Sequence, residues 1–174
     1  MSTTTITATA IRPSFIPKVR TTVTDKATGE TGMLTHVGIE MDGSVSCCIQ
    51  PQRTNPKTGH PVSTFWCVPT RLVSVETIPF PAHIPFDALG STITDTSSGI
   101  TGMAIAFLIH PNGCLHVHIQ PRGTTEDGDR IRPYDVDLLC CEGEKLPKLT
   151  PAEFTAAREQ RPSPAPTDGC PSLR

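Results

Sequence analysis

One phrase occurs twice in this chain, and it fixes more about the fold than any other feature. "VTDKATGETGM", from Val23, and "ITDTSSGITGM", from Ile93, share Thr-Asp, a glycine four residues on, and Thr-Gly-Met. Laid on itself, the sequence keeps this register without a gap: Gly43 falls on Gly113, and Ile49-Gln50-Pro51 on Ile119-Gln120-Pro121. A register held over about 30 residues marks a repeated folding unit rather than a repeated loop motif. A chain of 174 residues has room for one ordinary domain or two small ones, and the repeat selects two. A unit of roughly 60 residues buries only about 60% of its unfolded surface, so the units are expected to lean on each other or on other subunits.

Within each unit the apolar period is two. Val45, Cys47 and Ile49 alternate with Ser44, Ser46 and Cys48; Leu115, Val117 and Ile119 alternate with Cys114, His116 and His118. Both stretches read as half-buried strands. The strands before them, "GMLTHVGIE" and "GMAIAFLIH", reach them through "MDG" and "PNG", where Asp-Gly and Asn-Gly are expected to supply the positive φ angles of a tight hairpin. Further short strands are expected near "TFWCV", "LVSVE" and "RPYDVDLLCC". About five short strands per unit predict an all-β chain of two small antiparallel barrels, each closed or nearly so.

The expected boundaries follow. Residues 1–17 form an N-terminal arm, 18–76 the first barrel, 77–88 a proline-rich linker, 89–146 the second barrel, and 147–174 a short helix with a proline-rich tail. The linker, "TIPFPAHIPFDAL", shows no alternation and reads as an extended connector rather than a strand. The helix signal is "TPAEFTAAREQR", with Thr150 as N-cap, Pro151 at the first helical position and Glu153 closing a capping box. Neither terminal stretch can build a core alone, so both are expected to lie free or along a partner.

A formal charge of −2 and the lack of any Lys or Arg run give no field that attracts nucleic acid, which makes such a partner unexpected. The first twenty residues lack the charged and apolar regions of a signal peptide, and no apolar run approaches the roughly 20 residues of a membrane span. Seven cysteines without a C-x-x-C, two pairs of them adjacent, fit reduced thiols packed as small hydrophobes.

Several residues could carry chemistry. In "HPNGCLHVH", Cys114, His116 and His118 share a strand face and His110 lies across the hairpin turn, a set of possible zinc donors. Alternate residues of one strand stand roughly 7 Å apart, which works against one shared ion, so no metal or other cofactor is expected and surface or interface histidines are the preferred reading. Asp25 and Asp95 resemble an acid–base pair, yet each opens a Thr-Asp-x-x-x-Gly turn in which the carboxylate accepts downstream N–H groups. Gly29, Gly32, Gly99 and Gly102 form G-x-x-G without the helix and Lys of a phosphate loop, so turn and bulge chemistry is expected. No sequence context supports a nucleophile, and the chain reads as a non-enzyme. Trp66, near Arg53 and Arg71, and Tyr134, near Arg122 and Arg132, could clamp a base between an aromatic ring and a guanidinium; closing one end of a barrel is the competing role.

The order V-x-D-x-x-T-G-x-x-G, a strand, a Gly turn, a strand ending in Gln-Pro, a Lys/Pro/Gly-rich loop and a Trp-centred strand resembles small SH3-like barrel proteins of tailed bacteriophages. It is carried by Val23 to Gly32, Gly43, Gln50-Pro51, the 52–61 loop and Trp66. The second unit keeps the turn, the Gly and the Gln-Pro, with Tyr134 in place of Trp. The resemblance implies a fold and a viral source and transfers no functional site. With it, the expected role is a structural, particle-associated protein that decorates or cements a capsid through its barrels and arms, located in the virion or host cytoplasm and assembled with other virion subunits or copies of itself. The alternative is a binding module that sequesters a small nucleotide or occupies a host defence protein. Contacts are expected at Trp66, Arg53, Tyr134, Arg122, His116 and His118.

Overall fold

Twelve strands and three 3-10 turns make up residues 11–148, the part of the chain that the computed structural model describes. The strands are β1 (Phe15–Pro17), β2 (Thr22–Asp25), β3 (Thr31–Glu40), β4 (Val45–Pro51), β5 (Phe65–Cys67), β6 (Leu72–Val73), β7 (Thr77–Pro79), β8 (Thr92–Asp95), β9 (Thr101–Ile109), β10 (Leu115–Pro121), β11 (Tyr134–Asp137) and β12 (Cys141–Glu142). All pairings are antiparallel, as the period-two pattern requires. The helix signal at Thr150–Arg161 lies outside the described residues.

Pairings in the first half recur in the second. Thr22, Val23 and Thr24 face Met33, Gly32 and Thr31; Thr92, Ile93 and Thr94 face Met103, Gly102 and Thr101. In each half the order runs β6-β2-β3-β4-β5 or β12-β8-β9-β10-β11, with a 3-10 turn, Pro69–Arg71 or Leu138–Cys140, just before the last strand. Neither half closes, because β5 and β11 each pair on one side only and do not meet β6 and β12. Of the expected barrels, closed or nearly so, full closure is not found, and both units belong to one ten-stranded sheet.

The halves are joined through their longest strands. Val37, Gly38, Ile39 and Glu40 of β3 face Ile109, Leu108, Phe107 and Ala106 of β9. Across this seam the Met41 amide donates to the Ile105 carbonyl at 3.0 Å. Val23, Leu34, Val37, Ile39 and Ile49 pack with Ile93, Phe107, Val117 and Ile119 in one cluster, so a single core runs through both halves. That resolves the shortage of buried surface that each half would face alone.

Three local expectations change. In the β3–β4 and β9–β10 hairpins only Gly43 (φ 84°) and Gly113 (φ 82°) take positive φ, while Asp42 and Asn112 instead accept the amides of Ser44 and Cys114. These are three-residue turns ending in a left-handed glycine. The linker contains a strand, since β7 pairs with β1, and a 3-10 turn at Phe86–Ala88. The end of the N-terminal arm is thus part of the fold: Ile16 is buried, and Lys18 and Phe80 donate backbone hydrogen bonds to Glu76 and Ser14. Two proline-flanked extended segments satisfy each other's backbone groups where neither could enter the main sheet.

Candidate functional site

A bulge decides which side chains reach the outer face of the joined sheet. Leu34 faces Ile49 but His36 faces Cys48, so Thr35 is an extra residue and the inward–outward alternation of β3 inverts there. Leu34, Val37 and Ile39 all point into the core as a result, and His36 turns outward. The same shift recurs at Ile105 in β9, between the Ile119–Ala104 and His118–Ala106 pairs.

The outer face spans β5, β4, β3, β9, β10 and β11. Register aligns Trp66, Cys48 and His36 in one row, and His110, just past the Ile109–Val37 pair, continues it. A second row runs Asp135, His118, Ala106, Glu40. Between them lie Ser46, Gly38, Leu108, His116 and Asp137. The first row collects imidazoles. The His36 and His110 rings stand 4.5 Å apart edge to face, the His110 and His116 rings 4.0 Å apart and tilted, and the Trp66 indole lies 6.5 Å from His36. His110 Nε2 is buried without a hydrogen-bond partner among the described residues.

The electrostatics differ between the rows. Burial, then the charges of His116 and His36, push His110 down to about 4 against the opposing pull of Asp135 and Asp137. Burial and His116 lower His36 in the same way. In the second row the hydrogen bond between His118 Nδ1 and Asp135 raises His118. Asp135, although burial works against its charge, is held below the ordinary carboxylate range by that bond and by the neighbouring imidazoles. Burial raises Glu40. At neutral pH the first row therefore offers uncharged imidazoles, while in the second row the Asp135 carboxylate favours the charged form of His118.

The structure separates most of the residues singled out from sequence. Arg53 binds Glu30 through Nε and Nη2 at 2.9 Å, Arg71 binds Asp25, and Arg122 donates to Thr92 Oγ1 at 3.0 Å. Among the described residues the guanidinium that lies over an aromatic ring is Arg12, 4.3 Å from the Phe80 centroid. Among the described residues no aromatic–arginine clamp is assembled at Trp66 or Tyr134. Tyr134 also sits elsewhere than expected: it matches Phe65 in register and packs against the core, and the residue at the Trp66 position is Asp135. His116 and His118 do face outward together, one with its ring against His110 and the other bonded to Asp135. Asp25 and Asp95 behave as turn acceptors, taking the amides of Ala27 and Ser97.

His36, Glu40 and Asp135 were missed from sequence. The first two need the bulge and the seam, neither of which local alternation contains; their signal is only that Gly38 and Leu108 are equivalent positions of the repeat.

Among the described residues no three His, Cys, Asp or Glu side chains are placed to hold a metal ion, and no helix is long and apolar enough to cross a membrane. No family model, curated protein or solved structure matches the chain.

Proposed function

We propose that this chain is a non-enzymatic assembly protein of a tailed-bacteriophage particle, made of two SH3-like units that arose by tandem duplication and bind their neighbours through sheet surfaces and edges. One observation carries the reading. The halves pair strand to equivalent strand at equivalent residues, the arrangement of two subunits in a symmetric dimer. A unit whose longest strand is built to meet its own copy is a unit adapted to assembly.

Supporting features lie at the free borders. Among the described strands β5 and β11 each pair on one side only, at opposite ends of the outer face, and Trp66 and Val68 are about half exposed in or beside the first of them. Such borders take an added strand from a neighbour. The residues that could have suggested catalysis are occupied structurally: both aspartates cap turns, and burial pushes the Cys47 thiol up to about 12, far from a nucleophilic thiolate.

The test is composition. Mass spectrometry of particles purified from a phage encoding this chain is expected to find it at a stoichiometry tied to the capsid or tail subunits. Its absence from the particles would end the reading.

A further inference from the structure

We propose that the His36–His110–His116 stack is an acid-sensitive latch on the seam between the two halves: with neutral rings it holds β3 against β9, and protonation loosens that pairing before either half unfolds. The stack is astride the joint. His36 belongs to β3 of the first half, while His110, just past β9, and His116, on β10, belong to the second; the His36–His110 contact at 4.5 Å crosses the joint, and the His110–His116 contact at 4.0 Å backs it from within the second half. Packed rings at these distances attract while neutral and repel once two of them carry charge. His110 Nε2, buried without a partner, has no acceptor waiting for a proton among the described residues.

The surrounding charges set the direction. Cys48 of β4 is the register partner of His36, Cys114 accepts the His110 amide from just before β10, and Asp137 of β11 is the register partner of His116, with Asp135 on the same strand; Glu40 and His118 lie in the second row. The two aspartates favour protonated rings, yet burial and mutual repulsion leave His36 and His110 below their ordinary value. A histidine depressed in the fold contributes stability that is present above its unfolded value of 6.5 and drains as pH falls from there toward about 4. His118, raised by Asp135, stays charged and paired through that window, and Asp135 stays ionised. Asp25, lowered to about 2, and Asp95, also lowered, keep their turns intact over the same range. The acid response therefore concentrates at the seam.

Amide hydrogen exchange of the full chain at pH values from about 7.5 to about 4.5, corrected for intrinsic rates, reads this directly. Segments 36–41 and 105–110 are expected to lose protection by about tenfold or more on acidification, while segments 22–25 and 92–95 change far less. His110→Phe and His116→Phe keep an aromatic ring without the charge, and each is expected to move the loss to lower pH. Uniform protection across the range, or an unchanged profile in both variants, would overturn the latch. Should the variants misfold, NMR titration of the wild-type histidines decides: His110 is expected to titrate near 4, and a midpoint at 6.5 would overturn the proposal.

Discussion

Gly38 and Leu108 face each other at the centre of the seam, and they are the same position of the repeated unit, seventy residues apart. Every other pair across the joint is arranged about them: Val37 with Ile109, and Ile39 with Phe107. The two-fold relation carries the Trp66, Cys48, His36, His110 row onto Asp135, His118, Ala106, Glu40. Backbone pairing has kept the symmetry, and the outer side chains have diverged from it.

Because one core crosses the seam, the halves are expected to unfold together. Phe107 is fully buried against Ile39, and Phe107→Ala should cost about 3–5 kcal/mol. Urea denaturation followed by circular dichroism and by Trp66 fluorescence should give coincident transitions in both proteins. Trp66 sits in the first half and Phe107 in the second, so a fluorescence transition untouched by the substitution would show the halves to be independent.

Gly32 and Gly102 are needed for closeness rather than for φ. A Cβ on either would lie 2.5 Å from the carbonyl oxygen of Gln50 or Gln120 on the adjoining strand, a backbone atom that cannot step aside. Gly32→Ala and Gly102→Ala are each expected to destabilise by about 1–3 kcal/mol. Gly38→Ala meets chiefly the Ser46 hydroxyl, which can rotate, and should cost less. Chemical denaturation of the three variants checks the ranking.

The two turn aspartates have different supports. Asp25 accepts Ala27 N, Thr28 Oγ1 and a bidentate Arg71, whose Nε and Nη2 lie 3.1 and 2.5 Å from its oxygens. Chiefly through Arg71, and against the effect of burial, its carboxyl is held at about 2. Asp95 has the Ser97 and Ser98 hydroxyls instead, and Cys140 stands where Arg71 would be. A carboxylate depressed in the fold contributes stability above its unfolded value and loses it as pH falls through the folded one, so the Asp25 contribution should disappear between about 4 and about 2. Arg71→Gln is expected to lower Tm at neutral pH and to move this loss to higher pH. Identical pH profiles in the variant and the wild type would remove Arg71 from the account.

How far the sequence reveals this arrangement depends on how local each cause is. β4 and β10 were legible because inward Val45, Cys47, Ile49 and Leu115, Val117, Ile119 alternate strictly, and the Asp25 and Asp95 turns because the Asx hydrogen bonds lie within four residues. His36 was not, since one extra residue at Thr35 reverses the face of everything after it. Trp66 and Tyr134 looked equivalent because each is a lone aromatic marker near the end of its unit; only strand register shows that Asp135 holds the Trp66 place. The seam is a pairing of segments 70 residues apart, and no local pattern encodes which of two exposed strand borders will meet.

The N-terminal strand supplies the last test, because it separates an arm reserved for neighbours from one that completes its own fold. Ile16 is 1% exposed and pairs with Ile78, whereas Phe15 beside it is 61% exposed. Ile16→Ala should therefore cost about 2–5 kcal/mol, the range for emptying a buried branched site, and Phe15→Ala only about 0.5 kcal/mol or less. Deleting residues 1–17 should destabilise at least as much as Ile16→Ala, since it also strips β7 of its only partner among the described strands. Thermal melts of the isolated protein measure all three. Equal stabilities for the deletion and the full chain would return this segment to the role of a free arm; a loss confined to Ile16→Ala and the deletion places it in the core.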